Sequence, residues 1–146
     1  MRVVLQRVTR ASVSVDGEMI GAIGPGLVLL IGVAKTDTEK EMAFVMDKCV
    51  NLRIFGDEAG KMNLSALDTG AAVLAISQFT LYGDTRKGRR PGFDLAAPSE
   101  QAVAVYDQAV ERLRGYGLTI ATGRFGAHMV VDLVNDGPVT FILESP

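Results

Sequence analysis

The polar residues that follow a predicted apolar strand are the first candidates for chemistry. Residues 71 to 78 read as an apolar strand, and its end turns polar before the glycine at position 83. Small hydroxyls and free backbone amides at such a strand end can form an oxyanion hole, in which donors meet the charge developing on a carbonyl oxygen. The residues alone equally fit an ordinary strand end with a hydrogen-bonded glutamine. The candidate residues are Ser77, Gln78, Phe79 and Thr80.

A cluster of cations follows on a predicted loop that has no apolar neighbours. A mobile basic loop on a mildly acidic protein is the expected footprint of a phosphate-binding surface, although charge runs are also common on solvated faces. Both interpretations stay open from the residues. The four cations are Arg86, Lys87, Arg89 and Arg90.

A third segment, residues 135 to 138, reads Asn-Asp-Gly-Pro. Asp-Gly followed by Pro is ordinary turn chemistry, so the residue types predict a hairpin turn between two closing strands.

Histidine and cysteine chemistry is disfavoured. The only histidine, His128, alternates with apolar residues in a predicted strand, and we expect it on the solvated face and not as a general base. The only cysteine, Cys49, lies on the apolar face of a predicted helix and cannot form an intramolecular disulfide, which suits a reducing compartment. One His and one Cys leave no Cys/His zinc cluster, so we expect no metal and no cofactor, although the residue types still allow an all-carboxylate metal site.

Length and composition predict one domain, residues 1 to 146, in the cytoplasm. Apolar residues make up 48% and charged residues 22% of the chain, as in globular proteins, and we identify neither a membrane span nor a signal peptide. The formal net charge of −2 argues against a protein that coats nucleic acid over its whole surface. We therefore expect neither DNA nor a membrane as a partner.

The elements that must position these residues form an α/β pattern. Paired strands are predicted at 2 to 8 and 12 to 23, the second interrupted by a turn at residues 16 and 17, and further strands at 27 to 33 and 71 to 78. Short pieces are predicted at 52 to 55 and 61 to 64, and closing strands at 127 to 134 and 139 to 143. A capping-box signature at Thr38 and Glu41 starts a helix that ends near residue 51, and a second helix runs from Ser99 to about Gly115. The predicted fold is a single compact domain of mixed, largely antiparallel β-sheets packed with two main helices.

Four segments taken together resemble the D-aminoacyl-tRNA deacylase family, formerly called D-tyrosyl-tRNA deacylases. They occur in this order, as SQFTLYGD at 77 to 84, TRKGRRPGF at 85 to 93, TGRFGAHM at 122 to 129 and NDGPVT at 135 to 140. The match extends to residues 2 to 15 and 51 to 63, so it covers essentially the whole chain. The resemblance implies a deacylase-type α/β/β barrel-like fold and a hydrolase that acts on the acceptor 3′ end of D-aminoacyl-tRNA.

The resemblance also implies roles for particular residues. The segment Ser77 to Thr80 would supply the catalytic pocket, with the backbone amides of Phe79 and Thr80 polarising the ester carbonyl. Water would be the nucleophile, assisted by the 2′-hydroxyl of the terminal adenosine. The cation cluster at 86 to 90 would contact tRNA.

Chiral selection is implied for Gly137 and Pro138. In the family this pair has a cis peptide bond and enters the neighbouring subunit's pocket, where it excludes L-amino acids, so the resemblance implies a homodimer. Arg7 would orient the Gly-Pro loop. The phenylalanine at position 79 and the valine at position 139 place the chain with the strictly chiral members, which still accept glycyl-tRNA. Members more often carry an acidic or apolar residue where this chain has His128.

Two other classes of function remain open from the sequence. One is an RNA-binding module without catalysis that uses the loop at 86 to 90. The other is an esterase that uses the hydroxyl of Ser77 or Thr80 as a nucleophile.

Overall fold

The structure, a computed structural model, describes all residues from Met1 to Pro146. The sheet is organised by one long strand, β1, which forms hydrogen bonds along both of its edges. In chain order the elements are β1 (Arg2–Val15), β2 (Glu18–Ile23), β3 (Gly26–Gly32), α1 (Glu39–Asn51), β4 (Phe55–Gly56), β5 (Met62–Leu64), α2 (Ala66–Thr69), β6 (Ala72–Ser77), a 3-10 helix (Phe79–Tyr82), α3 (Ser99–Gly115), β7 (Ile120–Thr122) and β8 (Val130–Glu144).

The main sheet has the order β2-β1-β3-β6-β7, and β8 pairs with the other edge of β1. The pairs of β1 are antiparallel, whereas β3, β6 and β7 run parallel to one another. The two ends of this order also meet, since a Cβ atom added at Gly21 in β2 would lie 2.8 Å from the carbonyl oxygen of Thr122 in β7. The sheet is therefore curled into a nearly closed barrel, which confirms the predicted mixed, largely antiparallel α/β fold.

Both faces of the central strands are buried, because α1 and α3 cover the outside of the sheet and the barrel interior is filled. Leu27, Leu29 and Ile31 belong to the larger core cluster under the helices. Val28, one step along β3, belongs to the smaller cluster inside the barrel with Leu74. Successive strand residues point to opposite faces, so two buried faces require the continuous apolar run that β3 has.

The two main helices are confirmed at their predicted positions. Thr38 and Glu41 form the predicted capping box, in which the Glu41 carboxylate accepts a hydrogen bond of 2.8 Å from the Thr38 N–H. Cys49 is fully buried on α1, and burial raises the pKa of its thiol to about 12. None of the three α-helices combines the length and the apolar composition of a membrane-spanning helix.

The prediction of two closing strands joined by a hairpin turn was wrong. Residues 130 to 144 form one strand that runs beside β1 for nearly its whole length. Gln6 pairs with Thr140 and Val8 pairs with Asn135, so the residues between Asn135 and Thr140 leave the ladder as a bulge. The chain bends locally there, as the residue types indicate, but it does not reverse, because both flanks pair with the same strand.

Other differences are smaller. The first strand continues through residues 9 to 11, and residues 127 to 129 precede β8 as a loop. β7, with three residues, was not predicted, and neither was the 3-10 helix that begins immediately after Gln78. Such short elements carry too few residues for a periodic pattern.

Candidate active site

The segment Ser77 to Thr80 lies where the central parallel strand β6 ends. Ser77 pairs with Ile31 of β3, and the Gln78 N–H donates a hydrogen bond of 2.7 Å to the Ile31 carbonyl. The chain then leaves the sheet and turns into the 3-10 helix. Crevices beyond the carboxyl ends of parallel strands are common ligand sites, so β6 brings the segment to a suitable place.

The backbone amides of Phe79 and Thr80 are the first two N–H groups of the 3-10 helix. The next amide, Leu81, donates to the Gln78 carbonyl at 3.3 Å, and Gly83 donates to the Thr80 carbonyl at 2.9 Å. The N–H groups of Phe79 and Thr80 donate no such hydrogen bond to a backbone carbonyl, as expected for amides that precede the first helical turn. The amides of Phe79 and Thr80 are thus two adjacent donors without a backbone acceptor in the chain.

The side chains of the segment are arranged around these amides. The Gln78 side-chain amide donates a hydrogen bond to the Thr80 hydroxyl. Phe79 and Thr80 are exposed, and Ser77 and Gln78 are half-buried. A hydroxyl becomes a stronger nucleophile when a base accepts its proton. The Gln78 amide donates to the Thr80 hydroxyl instead, so this bond does not activate it.

A cavity of about 490 Å³ lies beside the segment. Its walls come from three regions that are far apart in sequence: the end of β6, the start of α3 and the loop before β8. The lining residues are Ile76, Ser77, Gln78, Phe79, Ala97, Ser99, Ala102, Phe125, Gly126, Ala127, His128, Met129 and Val131. Most of this lining is apolar, as in small-molecule sites.

The sequence analysis gave no role to the cavity wall at residues 125 to 129. His128 is exposed, as expected, but it lies in the loop before β8 and lines the cavity. The signal that could have identified this wall is the Phe-Gly-Ala run at 125 to 127, which places small residues next to an aromatic ring.

Two residues that the sequence analysis missed support the 3-10 helix. A Cβ atom at Gly32 would lie 3.0 Å from Leu81 Cβ and 3.1 Å from the Gln78 carbonyl oxygen, so only glycine lets the helix pack this closely on β3. Arg2 donates a hydrogen bond of 2.6 Å to the Leu81 carbonyl, and its guanidinium carbon lies 4.9 Å from the centre of the Tyr82 ring. Both contacts hold the 3-10 helix in place, and with it the amides of Phe79 and Thr80.

A larger cavity of about 630 Å³ lies near Met1 and Asp37, and it is not the candidate site. Its buried carboxylate, Asp37, already accepts hydrogen bonds from the Met1 ammonium at 2.5 Å and from the Ala34 N–H at 2.6 Å. Ser77 lines the smaller cavity and not this one, and Thr80 lines neither. The one buried carboxylate there is thus engaged by groups of its own chain and is not presented to a ligand.

Gly137 and Pro138 lie at the exposed tip of the bulge in β8, and the peptide bond between them is cis. The Asn135 side chain braces the bulge, accepting a bond of 2.7 Å from the Val139 N–H and donating one of 3.2 Å to the Val139 carbonyl. Arg7 lies beneath the bulge. Neither Gly137 nor Pro138 lines the cavity of its own chain.

The cations at 86 to 90 lie on a loop that leaves the 3-10 helix and returns to it. An antiparallel bridge between Asp84 and Gly92 closes the loop, with hydrogen bonds of 2.7 and 2.9 Å. Arg86 forms a bidentate pair with Asp84, at 2.9 and 2.7 Å, and this pairing lowers the pKa of Asp84 and raises that of Arg86. Lys87, Arg89 and Arg90 form no ion pair and are exposed.

Comparison with known proteins gives consistent matches over the whole chain. A family model described as D-Tyr-tRNA(Tyr) deacylase matches residues 4–144. A D-aminoacyl-tRNA deacylase of Brevibacillus brevis is 60% identical over 145 residues, covering 99% of this chain and 100% of the relative. One of Symbiobacterium thermophilum is 57% identical, covering 99% and 96%.

Solved structures share the fold. A protein described as c-Myc DNA unwinding element binding protein superposes with a TM-score of 0.94 at 49% identity, covering 100% of this chain and 99% of that one. A structure described as a probable eukaryotic D-amino acid tRNA deacylase has a TM-score of 0.87 at 17% identity and covers 98% of both chains, a likeness of fold alone. The predicted deacylase-type fold is confirmed.

Proposed function

Since the chain belongs to the D-Tyr-tRNA(Tyr) deacylase family, we propose that it hydrolyses the ester bond that joins a D-amino acid to the 3′ end of tRNA. The observation that carries this proposal is a pair of adjacent backbone amides without an acceptor in the chain, that of Phe79, which lines an apolar cavity, and that of the next residue, Thr80. Because tRNA is aminoacylated and used in the cytoplasm, we place the protein there.

The proposed mechanism uses main-chain donors and water. The ester carbonyl oxygen accepts hydrogen bonds from the amides of Phe79 and Thr80, which stabilise the negative charge of the tetrahedral intermediate. Water adds to the carbonyl carbon, assisted by the 2′-hydroxyl of the terminal adenosine. The ester C–O bond then breaks, the 3′ oxygen leaves with a proton, and the products are a free D-amino acid and tRNA. Neither a side-chain base nor a metal takes part.

Gly137 and Pro138 are the proposed chiral filter, supplied by the second subunit of a homodimer. Two features support this assignment: the pair is exposed at the tip of a braced bulge, and it does not line the cavity of its own chain. A rigid backbone wall at the substrate Cα rejects an L side chain by steric clash, while a D side chain points away from it. Glycine has no side chain to reject, so glycyl-tRNA is also hydrolysed.

Deacylation assays with D-Tyr-tRNA, L-Tyr-tRNA and Gly-tRNA test the function. We expect the protein to hydrolyse D-Tyr-tRNA and Gly-tRNA and to leave L-Tyr-tRNA intact. An RNA-binding module would bind all three without releasing an amino acid. A Ser77 or Thr80 nucleophile would form a covalent acyl-enzyme, which rapid acid quenching and mass spectrometry would detect. Duplex DNA should not compete with D-Tyr-tRNA.

A further inference from the structure

Two exposed phenylalanine rings separate the cavity from the basic loop. Phe79 is 54% and Phe93 38% exposed, although phenylalanine is among the residues most often buried. Their ring centroids are 5.0 Å apart and the planes are tilted by 58°. Phe79 lines the cavity and Phe93 does not, so Phe93 is the ring further from the reacting ester.

The position of Phe93 is fixed by its own surroundings. It follows Gly92, whose bridge with Asp84 closes the loop that carries the cations. A Cβ atom at Gly83 would lie 3.3 Å from the Phe93 ring, so the ring packs directly over the glycine backbone. The phenylalanine is therefore held in place with part of its surface open to solvent, between the unpaired cations and the cavity.

We propose that Phe93, supported by Phe79, is a stacking platform for an unpaired base that precedes the terminal nucleotide of the RNA 3′ end. The proposal rests on the proposed function, because it takes the terminal nucleotide to lie in the cavity. The Phe93 ring lies 5.0 Å, centroid to centroid, from the Phe79 ring that lines the cavity, so it is close enough to meet the base next to the terminal nucleotide. Aromatic rings combined with a basic groove are the usual means of holding single strands.

The charges favour RNA over a second protein copy at this surface. Lys87, Arg89 and Arg90 lie on the same loop without anionic partners. A two-fold contact through the two rings would bring the same three cations of each copy together, and like charges facing each other disfavour association. A phosphate backbone carries the complementary charge.

The test compares Phe93→Leu, which keeps an apolar side chain but removes the flat ring, with Phe93→Trp, which keeps a stacking face. Leu95→Ala is the matched control, because Leu95 is a nearby exposed apolar residue, at 60%, without a ring. The substrates are D-Tyr-tRNA and the D-tyrosyl ester of adenosine, which lacks the preceding nucleotides. Removing an aromatic ring from such a stack is expected to weaken RNA binding by about fivefold or more.

We expect Phe93→Leu to raise KM for D-Tyr-tRNA by about fivefold or more with little change in kcat. The adenosine ester should be hydrolysed as by the wild type, and Phe93→Trp and Leu95→Ala should behave as the wild type on both substrates. An equal loss on both substrates would overturn the proposal in favour of a structural role. An unchanged KM for D-Tyr-tRNA would overturn it as well, and so would dissociation of a wild-type dimer by Phe93→Leu in analytical ultracentrifugation.

A binding measurement separates this proposal from the proposed function. A fluorescent single-stranded RNA ending in CCA is titrated with each variant, alongside the same RNA with an abasic penultimate nucleotide. The wild type could hydrolyse neither D-Tyr-tRNA nor the adenosine ester and still bind the intact RNA more tightly than the abasic RNA. If Phe93→Leu then abolishes that difference in affinity, the proposed deacylase function is wrong but the stacking role of Phe93 is supported. Equal binding of intact and abasic RNA by the wild type overturns the platform alone.

Discussion

The Arg7 guanidinium donates a hydrogen bond of 3.0 Å to the carbonyl of Asp136, the residue before Gly137. A second bond of 2.6 Å runs from the same group to the Ile54 carbonyl, and the Arg7 side chain is only 16% exposed. The β8 bulge is thus tied through one cation to the segment that follows α1. This contact gives a physical basis for the orienting role that the sequence resemblance implies for Arg7.

We expect Arg7→Ala to destabilise the protein and to reduce chiral selection. Hydrogen bonds from a charged group contribute about 1.5–3 kcal/mol, and removing the guanidinium leaves two carbonyls without their donor. Urea unfolding should show a loss in this range, and L-Tyr-tRNA hydrolysis should rise relative to D-Tyr-tRNA.

Arg10→Ala is the control, because Arg10 also lies on β1 but is 65% exposed in a loose pair with Asp132 at 3.7 Å. Exposed pairs of this kind contribute about 1 kcal/mol or less. Unchanged selectivity in a folded Arg7→Ala variant would contradict the orienting role.

We expect Ser77→Ala and Thr80→Ala to keep most of the deacylase activity. Both substitutions leave the amides of Phe79 and Thr80 in place. Loss of one oxyanion donor costs about 2.7–4 kcal/mol in the transition state, a hundredfold or more in kcat. A fall of that size in either folded variant, measured by steady-state kinetics on D-Tyr-tRNA, would instead indicate a catalytic hydroxyl.

Gly32→Ala should reduce kcat by displacing the 3-10 helix. The new Cβ would lie 3.0 Å from Leu81 Cβ and 3.1 Å from the Gln78 carbonyl oxygen, so the helix must shift by a few tenths of an ångström. Misplacement by about 1 Å can cost a hundredfold in rate, and we expect a loss of about tenfold for this smaller shift.

Gly24→Ala is the control for this substitution, since nothing lies within 4 Å of its Cβ position. It should retain wild-type kinetics. Full activity in a folded Gly32→Ala variant would show that the amide positions tolerate the shift, against the proposed mechanism.

Neutralising Lys87, Arg89 and Arg90 together should weaken tRNA binding at low salt. Each lost phosphate contact should flatten the slope of log K against log salt by about 0.7, the single-strand value. Arg86→Gln alone should change the slope less, because Arg86 is already paired with Asp84. Lys61→Gln, on the β4–β5 hairpin, is the control for charge. An unchanged slope in the triple variant would indicate that the loop is a solvated surface that does not contact phosphate.

The sequence predicted the long elements and the segments of the site, but not how the segments meet. α1 could be predicted because the Thr38 capping box and the apolar periodicity are local signals. The course of β8 could not, because whether the chain reverses after Asn135 depends on pairing with β1. The same holds for His128, which reaches the cavity through the path of the loop before β8 and not through its neighbours in sequence.

Mixed dimers test whether the bulge acts across the subunit boundary. In a dimer of one Gly32→Ala subunit and one Pro138→Ala subunit, the intact cavity and the intact bulge belong to different chains. If Pro138 acts on the partner's cavity, the intact cavity receives the intact bulge, so the mixed dimer should hydrolyse D-Tyr-tRNA at about half the wild-type rate and L-Tyr-tRNA only at the low rate of the impaired Gly32→Ala cavity. If Pro138 acts within its own chain, the cavity that keeps full activity carries the altered bulge and should hydrolyse both substrates. Pro138→Ala homodimers, in which every bulge is altered, are the reference for lost selectivity. A mixed dimer, purified through two different affinity tags, that shows the selectivity of this reference would contradict the cross-subunit filter.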